Sequence, residues 1–251
     1  MLRDFSERRK SILEAIVNDF IQTAEPVGSF TITKHYLKDV SPATVRNEMH
    51  ELEQTGYITH PHTSAGRIPT DSGYRYYVDN IMETKTISGK EIALIKSGIK
   101  KIGRGVEEIV RGALKVVSSL LNYATVFVPF GRQKKVVTAS GLSNVLRQPE
   151  FQRIDIARQI IETLEQEELV AKVLEEYSRQ TPMAIKIGHE NKCREMRDFS
   201  VVVATHHLRG IDPGAIGIIG PTRMDYERVT SVLRYVSDEL DEIINREIIN
   251  A

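Results

Sequence analysis

The sequence predicts an α+β protein in two parts, and three observations predict it. Residues 1–82 carry three helical patterns followed by two short strand-like pieces. Residues 83–101 hold a polar linker and the start of a helix, and residues 102–251 alternate apolar strands with amphipathic helices. The 251 residues suffice for two small domains, and a 41% apolar content provides a core for each. The 34 basic and 34 acidic side chains cancel, so any polyanion site must be local. Cys193 is the one cysteine and cannot form an internal disulfide; it reads as a small packing residue. No secretory leader or apolar run of spanning length is present, so the chain reads as soluble and cytoplasmic, with no membrane partner.

From Phe5 to Thr23, the apolar positions Ile12, Leu13, Ile16, Val17, Phe20 and Ile21 line one stripe of a helix. Ser6 can cap its start, and Pro26 forbids its continuation. A short helix follows from Ser29 to about Leu37. In "VSPATVRNEMHELEQTG", Ser41 at the N-cap, Pro42 at the first helical position and Gly56 past the end punctuate a third helix. "YITH" and "RIPT" read as short strands, with "PHTSAG" joining them. Three helices and a small hairpin are the layout of a winged helix-turn-helix. After the hairpin, Thr70 or Asp71 can cap a helix whose Tyr74, Tyr77 and Val78 read as packing residues.

At 100° per residue the third helix puts Val45, Met49 and Leu52 on one side and Ala43, Arg46, Asn47, His50 and Gln54 on the other. The outer side suits a major groove: small residues permit approach, Asn pairs bidentately with adenine, and Arg pairs with guanine or phosphate. The competing reading of this helix alone is a solvated amphipathic face; the short helix before it and the hairpin after it favour DNA. The expected DNA-binding residues are Ser29, Lys34, Ser41, Thr44, Arg46, Asn47, His50, His62, Thr63, Ser64, Gly66 and Arg67. Gly66 is expected to relieve strain at a tight turn, and Arg67 to reach a minor groove. Residues 1–80 carry 9 basic and 11 acidic side chains, which disfavours indiscriminate binding. Arg8, Arg9, Lys10, Lys34, Arg46 and Arg67 are expected on the DNA side, with Glu51 and Glu53 turned away.

Beyond the polar stretch Glu83–Lys90, a helical stripe (Val106, Ile109, Val110, Ala113, Val117, Leu120, Leu121) leads to the strand "YATVFVPF". One long acidic helix is expected from about Arg153 to Tyr177, then strands in "MAIKIG", "FSVVVATHH" and "AIGIIG", and a last helix from about Met224 to Ile248. Its seam of Tyr226, Val229, Leu233, Val236, Leu240 and Ile243 either covers the sheet or pairs two subunits. Glycines 214, 217 and 220 fit neither a dinucleotide fingerprint nor a P-loop. The segment after Pro221 with Arg223 is either an anion site or a structural turn. No catalytic constellation stands out, so an enzyme is not expected. The histidine pairs His60/His62 and His206/His207 lack a third ligand, so no metal or other cofactor is expected.

"EPVGS", "VSPATVRNEM", "LEQTGYITHPHTSAGRIPTDSGYRYYVD", "SGLSNVLRQPEF", "IGHEN" and "GAIGIIGPTRMDYERV" together resemble the motif series of the HrcA family of bacterial heat-inducible transcription repressors, in that family's order. The resemblance implies a winged-helix DNA-binding domain joined to a GAF-like domain and a homodimer on double-stranded DNA. It further implies repression of chaperone genes through an inverted-repeat operator known as CIRCE, with the large chaperonin keeping the repressor active. Two departures stand out. Phe30 occupies a position where the family commonly has a basic residue. Between "YATVFVPFG" and "VVTASGLSNVL" the chain runs almost directly, where typical members carry part of the sheet and an inserted dimerisation domain. The family's dimer surface is therefore not carried over. The rival reading is a regulator whose GAF-like domain binds a small effector.

Overall fold

In the computed structural model, which describes residues 5–61, 66–100, 105–130, 137–179, 181–206 and 214–249, the chain separates into two units, Met1–Glu83 and Thr84–Ala251. In the first, α1 (Glu7–Thr23), α2 (Ser29–His35) and α3 (Pro42–Gln54) precede the antiparallel strands β1 (Ile58–Thr59) and β2 (Ile68–Pro69), and α4 (Asp71–Asn80) closes the unit. The helices α1, α3 and α4 each start where the sequence supplies a side-chain cap. Ser6 accepts the Arg9 amide at 3.3 Å, Ser41 the Thr44 amide at 3.1 Å and Thr70 the Gly73 amide at 3.1 Å. Gly56, at φ 81°, turns the chain from α3 into β1. Ile12, Leu13, Ile16 and Val17 of α1, Ile32 of α2, and Val45, Met49 and Leu52 of α3 are buried with Ile58, Tyr74 and Tyr77. The tyrosines of α4 are thus core residues. Tyr76 packs in a ring cluster with Phe5 and Tyr57, at centroid distances of 4.3–5.5 Å.

The second unit holds α5 (Gly89–Lys100), α6 (Val106–Leu121), β3 (Ala124–Pro129), β4 (Thr138–Ser140), α7 (Leu142–Val145), α8 (Ile154–Leu164), α9 (Glu167–Ser178), β5 (Met183–Ile187), β6 (Phe199–His206), β7 (Gly214–Pro221) and α10 (Tyr226–Ile249). The five strands form one antiparallel sheet in the order β4-β3-β7-β6-β5. Alternation divides its faces. Ala124, Val126, Val201, Val203, Ala215 and Ile219 share a core with Val170, Ala171 and Leu174 of α9. The opposite face meets α6 and α10: Thr125 donates to the Leu114 carbonyl at 2.9 Å, and Ser200 bonds the Tyr226 hydroxyl at 2.6 Å.

The expectation of one long acidic helix is corrected. The long acidic helix is two, α8 and α9, broken at Glu165–Gln166. In one continuous rod Leu164 and Val170 would point about 120° apart; the break lets both join the same core. The polar linker is already helical from Gly89, with Ser88 and Glu91 bonded reciprocally at its start. The strand β4 pairs along the sheet edge, where its three residues are too few to show a period. The α10 seam lies against β6, β7 and α6, and from Tyr226 to Leu240 it is buried there.

Candidate nucleic-acid interface

The helix α3 turns one face inward, with Val45, Met49 and Leu52 buried, and leaves Ser41, Ala43, Arg46, Asn47 and His50 exposed, with Thr44 half-buried. Ser41 and Thr44 occupy the first turn, their hydroxyls 2.9 Å apart. Ser41 Oγ already accepts the Thr44 amide, so one hydroxyl proton of the pair remains for an outside acceptor. Among the described residues the exposed Asn47 side chain makes no hydrogen bond, which leaves its amide available to an outside partner. His50 Nε2 and Gln54 Nε2 are 2.9 Å apart, one turn along the same face.

The short helix α2 presents Lys34 to solvent and holds Ser29 half-buried in its first turn, while the Phe30 ring beside Ser29 is 69% exposed. Tyr36, just past its end, donates to Asp19 of α1 at 3.1 Å. Burial, the hydrogen bond to Asp19 and its charge push the phenol up to about 12, so this tie stays protonated at physiological pH.

His62, Thr63 and Ser64 lie outside the described residues. Gly66 and Arg67 are described, and the reason for the glycine differs from the expected one. Its backbone is not left-handed. Instead, a Cβ there would lie 2.6 Å from the carbonyl carbon and oxygen of Val27. The Arg67 amide and carbonyl pair with those of Val27 at 2.9 Å each, which fixes the start of β2 against the residue that leads into α2.

Glu53, expected to turn away from the DNA side, bonds Arg67, which is expected on that side. Glu53 Oε2 accepts Arg67 Nε at 3.0 Å and Nη2 at 2.8 Å, and its Oε1 bonds His60 Nδ1. Burial alone raises this carboxyl, but the bonds from His60 and Arg67 outweigh it and hold Glu53 below the ordinary carboxylate range. Arg9 is likewise tied to Glu48 at 2.9 Å, and Lys10 to Glu7 at 3.0 Å. Arg8, Lys34, Lys38 and Arg46 make no ion pair among the described residues. These long-range pairs, 14 and 39 positions apart, follow no local period and are not visible in the sequence.

In the second unit, Arg223 is buried and its Nε bonds Glu150 at 2.5 Å, with Nη2 near Gln148 at 3.3 Å. The segment after Pro221 is therefore a structural junction rather than an anion site. The fold also gathers a Ser–His–Asp set that the sequence did not reveal: buried His206 lies between Ser237 and Asp241 of α10. Ser237 Oγ is 3.2 Å from Nε2 and 3.4 Å from Nδ1. An oxygen nearly equidistant from both nitrogens lies off the in-plane axis of either one, where a base would take its proton, so the set ties α10 to the sheet and is not aligned for nucleophilic attack. Among the described residues no helix is long and apolar enough to cross a membrane.

The family model for the HrcA protein C terminal domain matches residues 77–230. The chain is 30% identical over 340 positions to the heat-inducible transcription repressor HrcA of Acetivibrio thermocellus, covering 96% of this chain and 97% of that protein. It is 31% identical over 337 positions to the HrcA of Desulforamulus reducens, with the same coverage. An alignment of 340 positions exceeds the 251 residues here, so a sizeable block of the relatives has no counterpart. In this chain β3 and β4 pair directly across the region where that block was expected to be missing. A crystal structure of a hypothetical protein shares the fold at TM-score 0.76 and 19% identity, over 97% of this chain and 100% of that one. By the extent of the family match and the identity to these repressors, the chain belongs to the HrcA family.

Proposed function

We propose that this chain is a sequence-specific DNA-binding repressor of heat-inducible genes that works as a homodimer on an inverted-repeat operator. The observation that carries the reading is α3, whose Arg46, Asn47 and His50 stand exposed opposite a buried Val45–Met49–Leu52 stripe, in a family whose members are named transcription repressors. Asn47 and Arg46 read base edges in the major groove. Ser29, Lys34, Ser41, Thr44, His50, His62, Thr63, Ser64, Gly66 and Arg67 set the register on the phosphates. Two-fold symmetry places the half-sites on one face of the duplex, about 34 Å apart or a multiple of that. The second unit carries dimerisation, and a chaperonin holds the repressor in its active form by raising its folded fraction. The site of action is the cytoplasm, on the nucleoid.

The test is selection of bound duplexes from a random-sequence pool, followed by sequencing. An inverted repeat enriched by the wild-type protein and lost with Asn47→Ala supports the reading. Enrichment of no sequence, or the same repeat with Asn47→Ala, rejects it. Refolding with and without chaperonin, scored by operator binding, tests the last element: equal recovery discards it.

A further inference from the structure

We propose that Glu53 is the positioning residue of the wing, and that by holding Arg67 against the recognition helix it withholds that guanidinium from non-cognate phosphates. The inference rests on the DNA-binding reading above. Glu53 sits in the last turn of α3, and its two carboxylate oxygens grip different strands of the hairpin. Oε1 bonds His60, directly after β1, and Oε2 accepts both Nε (3.0 Å) and Nη2 (2.8 Å) of Arg67, directly before β2. One side chain therefore ties both ends of the wing to the helix that reads the operator.

The backbone of Arg67 is fixed independently, because its amide and carbonyl pair with Val27. A change of partner therefore falls to its side chain. A phosphate oxygen can accept the same two donors, Nε and Nη2, that Glu53 Oε2 accepts, so the two compete directly for Arg67. Transfer to DNA leaves Glu53 charged and half-buried beside a polyanion. That cost is met where base contacts by α3 hold the helix in register, and it is not met on a duplex of arbitrary sequence. Glu53 thus lowers affinity for arbitrary DNA more than for the operator. Charge supports this arrangement: residues 1–80 already carry two more acids than bases, and a second arginine, Arg9, is held by Glu48 of the same helix.

The experiment measures dissociation constants against salt, on the selected inverted repeat and on a random-sequence duplex, for the full-length wild type, Glu53→Gln, Arg67→Ala and the double variant. A purely structural brace would change melting temperature without changing the number of counterions released. The expected result for Glu53→Gln is a salt slope on random duplex steeper by about 1, one added phosphate contact, together with a several-fold smaller ratio of operator to random affinity. Both changes should vanish in the Arg67→Ala background. An unchanged slope, or the same change without Arg67, overturns the proposal. Should Glu53→Gln fail to fold, Glu53→Asp, one methylene too short to span His60 and Arg67, replaces it with the same expected direction. A wild type that binds neither duplex overturns the DNA reading itself, which separates that failure from this one.

Discussion

Alanine at Gly66 tests how the wing is held. The added Cβ would meet the carbonyl carbon and oxygen of Val27 at 2.6 Å and the carbonyl carbon of Pro26 at 2.7 Å. These are backbone atoms, so no change of rotamer relieves the overlap. One way out is for the wing to lift and break the two 2.9 Å hydrogen bonds between Val27 and Arg67, each contributing about 0.5–1.5 kcal/mol. The other is to keep them and accept overpacking strain of about 1–3 kcal/mol. Both routes arrive at a loss of roughly 2 kcal/mol in the first unit. Lifting also displaces Arg67, the next residue, so operator affinity should fall as well. Urea unfolding followed by far-UV circular dichroism, beside a gel-shift titration, measures the two effects. An unchanged midpoint with unchanged affinity would refute the claim that backbone contact to Val27 sets the wing.

Asn47→Ala removes an exposed side chain that bonds nothing among the described residues, so stability should move by less than about 0.5 kcal/mol. Operator affinity should fall by about 1–3 kcal/mol with relaxed sequence preference, and an unchanged preference in a gel-shift titration removes the base-reading role. Asn191 is fully buried: it donates to the carbonyls of Gly188, Met196 and Phe199 at 2.8–3.1 Å and accepts the Tyr177 hydroxyl at 3.0 Å. Asn191→Ala removes these four side-chain bonds, each contributing about 0.5–1.5 kcal/mol, and should cost about 2–5 kcal/mol by urea unfolding; a loss below about 1 kcal/mol would show that these bonds do not hold the turn. Ser88 Oγ and N–H donate to Glu91 Oε2 at 2.7 and 3.0 Å, and with Arg228 they hold the Glu91 carboxyl below its ordinary value. A lowered folded-state pKa gives stabilisation that is complete above the ordinary value of about 4.3 and is lost as pH falls through the folded one. Thermal melts of Glu91→Gln should therefore lie below wild type at neutral pH and converge with it in acid, and a constant gap across the range contradicts the assignment.

Local chemistry was legible in the sequence wherever a residue acts on its own neighbourhood. Ser6, Ser41 and Thr70 cap where their hydroxyls predict, because a cap needs only the next three amides. The 100° spacing assigned the inner and outer faces of α3 for the same reason. What the sequence hides is anything set by a partner far along the chain. The α8–α9 break answers to the position of the sheet rather than to a breaker residue at Glu165 or Gln166. The need for glycine at 66 comes from Val27, and the environment of Glu53 from His60 and Arg67. A spacing rule carries no information about such pairs, since side chains on separate elements meet only after the core has set their distance.

The charge arrangement then constrains how the protein finds an operator. Of the cations in the first unit, Arg9, Lys10, Arg67 and Arg75 are engaged with carboxylates, while Arg8, Lys34, Lys38 and Arg46 make no ion pair among the described residues. At about 0.9 counterions per phosphate neutralised, these four cations of the described first unit would contribute a salt slope of about 3.6 per subunit on arbitrary DNA. A slope that shallow gives weak non-specific attachment, so on the proposed dimeric reading residence at a site comes from base contacts and from the simultaneous engagement of two subunits. Doubling the contacts by symmetry rewards only a duplex whose half-sites repeat with inversion, because a subunit on the wrong register contributes the weak phosphate term and nothing more. On the proposed reading, low charge on the reading domain and dimeric binding are two halves of one design for discrimination, with Glu53 acting at the point where an additional cation would blur it.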